Sequence, residues 1–169
     1  MNNKTHTQLL KELKQEEGFR SIPYLDTQGF WTIGYGRNID GLPLSEEEFT
    51  HLFPNESIDN NNAQWLIKTW SKSKITRESA IYLLESVISL CEQEARLIYD
   101  DFDSYKTTKK VVILDLLYNL GLSRYKGFKK HIAAVKRKDW ITAGTELLNS
   151  EAARQDPNRY QRLAKEIIK

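Results

Sequence analysis

The sequence predicts an α+β fold, mostly α, in two lobes: a small lobe with a β-hairpin or short sheet, a long connecting helix, and a helical C-terminal lobe. Three observations carry this. Leu9, Leu10 and Leu13 recur at helical spacing and stop at Gly18. Between Ser21 and Tyr35 the chemistry switches to proline, β-branched residues, aromatics and glycine, as a hairpin requires. From Thr76 onward, apolar residues again return every three or four positions, in one long helix and several shorter ones. A chain of 169 residues suits one domain or two small lobes sharing a helix. We expect a single domain over 1–169, with a small lobe over about 15–75, a connecting helix over about 77–102, and a helical lobe over about 103–169 against which the N-terminal helix packs.

The elements follow in order. After the first helix, Asp26-Thr27-Gln28-Gly29 reads as a four-residue turn, with Phe30 to Ile33 as the return strand. Gly34, Gly36 and Gly41 loosen the backbone around a third short strand. Ser45-Glu46-Glu47-Glu48 is a capping box that opens a short helix running to about Phe53. Pro54 through Asn62 is a polar loop, and Trp65, Leu66, Ile67 and Trp70 mark another short helix. Thr76 caps the long helix, on which Ile81, Leu84, Ile88, Cys91, Ala95, Ile98 and Phe102 share a face. About 25 residues at 1.5 Å each give ~38 Å, enough to bridge two lobes. Helices over 107–120, ending at Gly121, and over 127–138 come next. Asp139 caps a helix holding Trp140, Ile141, Leu147 and Leu148, and Pro157-Asn158 starts the last one.

Composition narrows the function. Hydrophobic residues make up 40% and charged residues 28%, with 18 aromatics to build a core, so disorder is excluded. A single cysteine, Cys91, rules out an intrachain disulfide and falls on an amphipathic helix, where a buried, inert thiol is expected. No run approaches the ~18–20 apolar residues of a membrane span, so no stable membrane insertion is expected. The Lys-rich start lacks the apolar core of a secretion signal, so we expect synthesis in the cytoplasm and delivery to any outside substrate by other means. The net charge is +2, but residues 106–138 hold ten basic side chains against one acid, Asp115. Such a stripe is either a solvated helical face or a surface for an anionic polymer: nucleic acid, cell wall or membrane.

The chemistry is found by elimination. His6, His51 and His131 lie far apart with no cysteine cluster, so neither a metal site nor a cofactor is expected. No Gly-x-Ser-x-Gly elbow occurs. Gly34-Tyr35-Gly36 begins like a dinucleotide loop, but Ile39 stands where the third glycine belongs. Carboxylates remain. Glu46 and Glu47 sit in a helix's first turn, and Glu85, Glu92 and Glu94 lie on the long helix, where solvent explains them. Glu17 differs, because it abuts a helix end, Tyr24 and a hairpin whose turn begins with another acid, Asp26. A general acid needs the raised pKa that partial burial beside aromatics supplies, and a general base should stay ionised near water, as a turn carboxylate does.

The run from Glu17 to Gly36 closely resembles the active-site segment of the phage-type lysozymes, glycoside hydrolase family 24, including its T-even phage member. A Glu-Gly follows the first helix, an Asp stands nine residues on and a Thr six beyond, matched here by Glu17, Asp26 and Thr32. Thr32 to Gly36 matches the Thr-Ile-Gly-x-Gly run. Ile75-Thr76, Asn119-Leu120-Gly121, Gly127-Phe128, Trp140 and Pro157-Asn158-Arg159 follow in the family's order.

The resemblance implies a lysozyme-like fold and inverting hydrolysis of the β-1,4 link between N-acetylmuramic acid and N-acetylglucosamine in peptidoglycan, leading to lysis of bacteria. It implies Glu17 as the acid, Asp26 as the base, and Thr32 as the second holder of the attacking water. Arg159 matches an arginine that pairs with the acid, and Tyr24 supports the acid. Tyr118 and Asn119 align with the substrate-facing region, and Gly36 and Arg37 are further candidate substrate contacts. Peptidoglycan strands are the expected partner and nucleic acid is not; the expected state is a monomer. A phage or prophage endolysin released by a holin and a bacterial effector delivered by a secretion machine both fit.

There are departures from the pattern. Arg37 stands where the T-even member has a His, and that residue's acidic partner aligns near Val87, so that ion pair is lost or replaced. The segment between Arg37 and Ile75 is longer and adds Trp65 and Trp70, which we read as covering the small lobe in preference to stacking on sugar. A non-catalytic wall-binding module on the same fold is the alternative function; the intact Glu17, Asp26 and Thr32 set argues against it.

Overall fold

The computed structural model describes residues 3–169. The described chain is α+β and mostly helical, with one three-stranded antiparallel sheet. The described residues divide into two compact units: 3–9 with Ile88–Lys169, and Leu10–Val87. The division falls inside two helices, α1 (Asn3–Glu17) and α4 (Arg77–Ile98).

In the unit Leu10–Val87, α1 stops where Gly18 takes a left-handed φ of 66°, a conformation that only glycine adopts at little cost. Strand β1 (Arg20–Leu25) turns through Asp26–Gly29 into β2 (Trp31–Gly34), and β3 (Arg37–Asn38) completes the sheet in the order β1-β2-β3. The register pairs Tyr24 with Thr32 and Thr32 with Asn38, so these three side chains form a row on one face. Pairing slips between Arg20 and Tyr24, the stretch containing Pro23, which has no N–H to offer a ladder. Gly34 is required on two counts: its φ is 67°, and a Cβ there would sit 3.0 Å from that of Ala80. The sheet is tied to the start of α4 by Ile75, whose N–H donates to the Ser21 carbonyl at 2.9 Å.

Helix α2 (Glu46–Leu52) has the full capping box, with Ser45 and Glu48 each satisfying the other's backbone N–H. A 3-10 turn over Ile58–Asn60 interrupts the polar loop. Asn62 then caps α3 (Ala63–Ser73), which packs on β1. Trp70 is buried, and its ring meets Phe53 at 5.6 Å; Trp65 meets Phe49 at 5.5 Å and Phe53 at 4.9 Å. The longer segment thus supplies its own aromatic cluster, and both tryptophans serve it as packing residues.

Helix α4 ends at Ile98, short of Phe102, which lies in a separate 3-10 turn, Phe102–Ser104. Asp100 and Asp101 stand two and three residues past its end, and negative charge near a helix C-terminus opposes the macrodipole. Cys91 is buried on α4, and desolvation pushes its thiol pKa up, as expected of an inert core cysteine. In the helical unit, α5 (Thr107–Lys126) is buried continuously from Val111 to Leu117 and breaks at Gly121, with φ 70° and ψ 159°. Around it stand α6 (Lys129–Lys136), α7 (Trp140–Leu148), α8 (Glu151–Gln155) and α9 (Pro157–Ile168). Asp139 and Asp156 cap α7 and α9 through their carboxylates. Helix α8 is a single turn capped by Ser150, too short to leave a periodic apolar signal. None of the described helices is long and apolar enough to cross a membrane.

Candidate active site

Glu17 is the last residue of α1 and is half-buried. The chain directly behind it is clamped. The Phe19 ring meets Tyr35 at 5.5 Å, the Arg77 guanidinium lies 4.4 Å from the Phe19 ring centre, and Arg77 Nη1 donates to the Tyr35 hydroxyl at 3.4 Å. A helix terminus that could fray is thereby fixed against the β2–β3 turn.

Asp26 opens the hairpin turn and is anchored through one carboxylate oxygen. Its Oδ1 accepts from the Gln28 N–H at 2.8 Å and the Phe30 N–H at 2.9 Å, which is the Asx-turn chemistry of a short acidic side chain. Its own N–H donates to the Phe30 carbonyl at 2.9 Å. Oδ2 accepts no hydrogen bond from the described residues. Thr32, buried on the central strand, donates its hydroxyl hydrogen to the same Phe30 carbonyl at 3.2 Å. One residue, Phe30, therefore positions both: its N–H holds the Asp26 carboxylate, and its carbonyl receives the Thr32 hydroxyl.

Tyr24, directly across from Thr32, brings the two acids into one electrostatic environment. Its phenol pKa is held above the usual value first by burial and then by the negative charges of Glu17 and Asp26, with Arg20 acting the other way. The Arg20 guanidinium lies 5.1 Å from the Tyr24 ring centre. Tyr24 stays a protonated phenol, and so a hydrogen-bond donor, within the field of both carboxylates.

Gly36 sits in the tight turn between β2 and β3 with φ 83°. Arg37 is not presented to solvent. It is 6% exposed and pairs with Glu48 through both terminal nitrogens, at 3.1 and 2.7 Å. Its Nε and Nη2 also donate to the Leu42 and Pro43 carbonyls, each at 3.0 Å. The pair with Glu48 is itself buried. It commits Arg37 to holding the segment after β3, because a guanidinium with four of its five donors engaged has little left for a ligand.

Two residues near the site escaped the sequence reading, Asn38 and Asp40. Asp40 Oδ2 accepts from the Trp31 N–H at 2.7 Å. Asn38 Oδ1 accepts from the Asp40 and Gly41 N–H groups at 3.0 and 2.6 Å. The Asn-Ile-Asp-Gly run was the available signal, since such clusters fold back on their own backbone.

Tyr118, Asn119 and Arg159 belong to the helical unit. Tyr118 is half-buried and Asn119 exposed, both on α5 just before its break at Gly121. Arg159, 8% exposed, is no solvated helix arginine: its Nε donates to Asp115 at 2.9 Å, and Arg162 reaches the other oxygen of that fully buried carboxylate at 3.2 Å. The basic stretch does not form one face. Lys109 is buried and donates to the Ile167 carbonyl, and Lys138 pairs with Asp101 at 2.9 Å. Arg124, Lys129 and Lys130 instead line a groove of about 690 Å3 together with Leu120, Phe128 and Glu146.

Comparison with known proteins identifies the family. The family model for phage lysozyme matches residues 14–163. Two proteins of Dictyostelium discoideum are similar over nearly the whole chain. Probable T4-type lysozyme 1 is 28% identical over 159 residues, covering 89% of this chain and 88% of that protein. Probable T4-type lysozyme 2 is 26% identical over 160 residues, with the same coverage. A match that runs from the end of α1 into α9 covers most of the chain, and the chain belongs to the phage lysozyme family, a glycoside hydrolase family.

Proposed function

We propose that this protein is an inverting muramidase that hydrolyses the β-1,4 linkage between N-acetylmuramic acid and N-acetylglucosamine in peptidoglycan and so lyses bacteria whose wall it reaches. The observation that carries the reading is the division of labour between two acids on one unit. Glu17 stands at the carboxyl end of a helix, where negative charge is disfavoured, and Asp26 stands in a polar turn with one oxygen anchored and the other open.

Glu17 donates its proton to the glycosidic oxygen as the bond breaks. Asp26 takes a proton from water through Oδ2. The Thr32 hydroxyl hydrogen is already given to Phe30, so Thr32 presents only lone pairs and accepts the water's second hydrogen. With both hydrogens held, the water oxygen faces the anomeric carbon. Inversion needs room for that water, roughly 6.5–9.5 Å between the carboxyls. The groove lined by Arg124, Lys129 and Lys130 offers cations to an anionic wall polymer.

The test is digestion of purified peptidoglycan with product analysis. Wild type is expected to release muropeptides of inverted anomeric configuration. Glu17→Gln, which cannot donate the proton, is expected to lose turnover by at least the 10²- to 10⁴-fold typical of a removed general acid. Full activity in Glu17→Gln would sink the assignment, and a retained configuration would sink the mechanism.

A further inference from the structure

Phe30 anchors both Asp26 and Thr32, and its carbonyl shares a peptide with the Trp31 N–H, which raises the question of what holds that peptide. Trp31 is gripped from the far side of the hairpin at both its carbonyl and its N–H. Its carbonyl accepts from the Ile39 N–H at 2.9 Å, and its N–H donates to Asp40 Oδ2 at 2.7 Å. The second bond is not part of the strand ladder. Strand β3 ends at Asn38, so no backbone carbonyl of that strand reaches Trp31 N–H, and a side-chain carboxylate takes its place. Asp40 is aimed in turn by Asn38, which lies directly across from Thr32 and whose Oδ1 collects the Asp40 and Gly41 N–H groups.

We propose that Asp40 is a positioning residue for the hydrolytic reaction: by holding Trp31 N–H it fixes the Phe30–Trp31 peptide, whose carbonyl receives the Asp26 N–H and the Thr32 hydroxyl, and so aligns both residues. The inference rests on the reading of Asp26 as the base. Two carboxylates thus bracket consecutive amides, Asp26 on Phe30 and Asp40 on Trp31. Asp40 is itself exposed, so its loss costs the fold little. Its effect is on alignment, and a displacement near 1 Å at a reacting group costs about 10²-fold in rate.

The test compares Asp40→Ala and Asp40→Asn in steady-state turnover of soluble peptidoglycan fragments, with thermal melts and amide exchange of Trp31 followed by NMR. Asp40→Ala is expected to lower kcat roughly 10- to 100-fold with KM within about twofold. Its melting temperature should stay close to wild type, and its Trp31 amide should exchange faster. Asp40→Asn keeps an oxygen that accepts the same N–H and should restore most of kcat and of the exchange protection. Wild-type kcat in Asp40→Ala overturns the inference alone, as does equal loss in both variants, which would make the charge the active feature and not the hydrogen bond. Failure of the wild type to cleave peptidoglycan overturns the functional reading first, and the positioning role with it.

Discussion

His131 makes the stability of this protein depend on pH in a calculable way. It is 1% exposed on α6, and its Nδ1 lies 2.9 Å from the Ala143 carbonyl, which can only accept. Nδ1 must therefore carry the hydrogen. Nε2 is left as a buried acceptor with no hydrogen-bond partner among the described residues. Protonating Nε2 would place a charge in the core beside the Tyr125 ring, 6.0 Å away. Burial accordingly pushes the His131 pKa down from the ordinary 6.5 to about 4, with the Ala143 bond opposing in part.

The unfolded chain takes up this proton as pH falls through 6.5, and the folded chain does so only near 4. Between those values the unfolded state binds more protons, so stability declines as pH falls, and the loss is complete below 4. At 1.36 kcal/mol per pKa unit, the drop from 6.5 to about 4 corresponds to roughly 3 kcal/mol. The assay is urea unfolding of wild type and His131→Asn from pH 7.5 to 4. The asparagine amide can still donate to Ala143 but does not titrate. Carboxylates titrate alike in both proteins, so the stability difference between them isolates the histidine. Wild type is expected to lose about 3 kcal/mol relative to the variant across this range. A constant difference, or an NMR titration of His131 centred near 6.5, would refute the reasoning.

Two further predictions concern buried charge. Glu48→Ala leaves the buried Arg37 without its counter-charge and removes half of the α2 capping box, so a loss of about 3–5 kcal/mol in chemical denaturation is expected; Arg37→Met with Glu48→Leu should recover much of it. Asp115→Asn leaves Arg159 and Arg162 facing a neutral amide at a fully buried site, and a loss of about 3 kcal/mol in the same assay is expected.

What was legible in the sequence was local. The α1 stop at Gly18, the capping box at Ser45, the Asp26 turn and Pro157 at the head of α9 each declare themselves within four residues. Asp26 could be singled out for the same reason, as the first residue of one tight turn, whereas Thr32 entered only through the family resemblance. What stayed hidden was non-local or too short to be periodic. Arg37 and Glu48 are eleven positions apart, Asp115 and Arg159 forty-four, and nothing in either residue's neighbours names its partner. Arg37 accordingly read as a substrate contact when it is a buried structural cation. The one-turn α8 and the early end of α4 were missed because apolar spacing alone neither detects a single turn nor senses two aspartates past a helix end.

Each unit holds a buried ion cluster, and their placement bears on function more than on stability. Burying an ion pair is a poor way to gain free energy, because desolvation consumes most of what attraction returns, but such a pair tolerates little displacement once formed. Arg37–Glu48 ties β3 to the head of α2, and β3 is the strand that carries Asn38 across from Thr32 and leads into Asp40. Asp115 ties α5 to α9 through Arg159 and Arg162. Apolar packing could have joined the same elements at lower cost, with looser register, since hydrophobic contacts are non-directional. Where charge is used instead, the elements concerned are a two-residue strand and the α5–α9 contact. A two-residue strand such as β3 cannot set its own register by ladder bonds alone, so the directional grip of Arg37 on the segment beyond it supplies what the strand lacks.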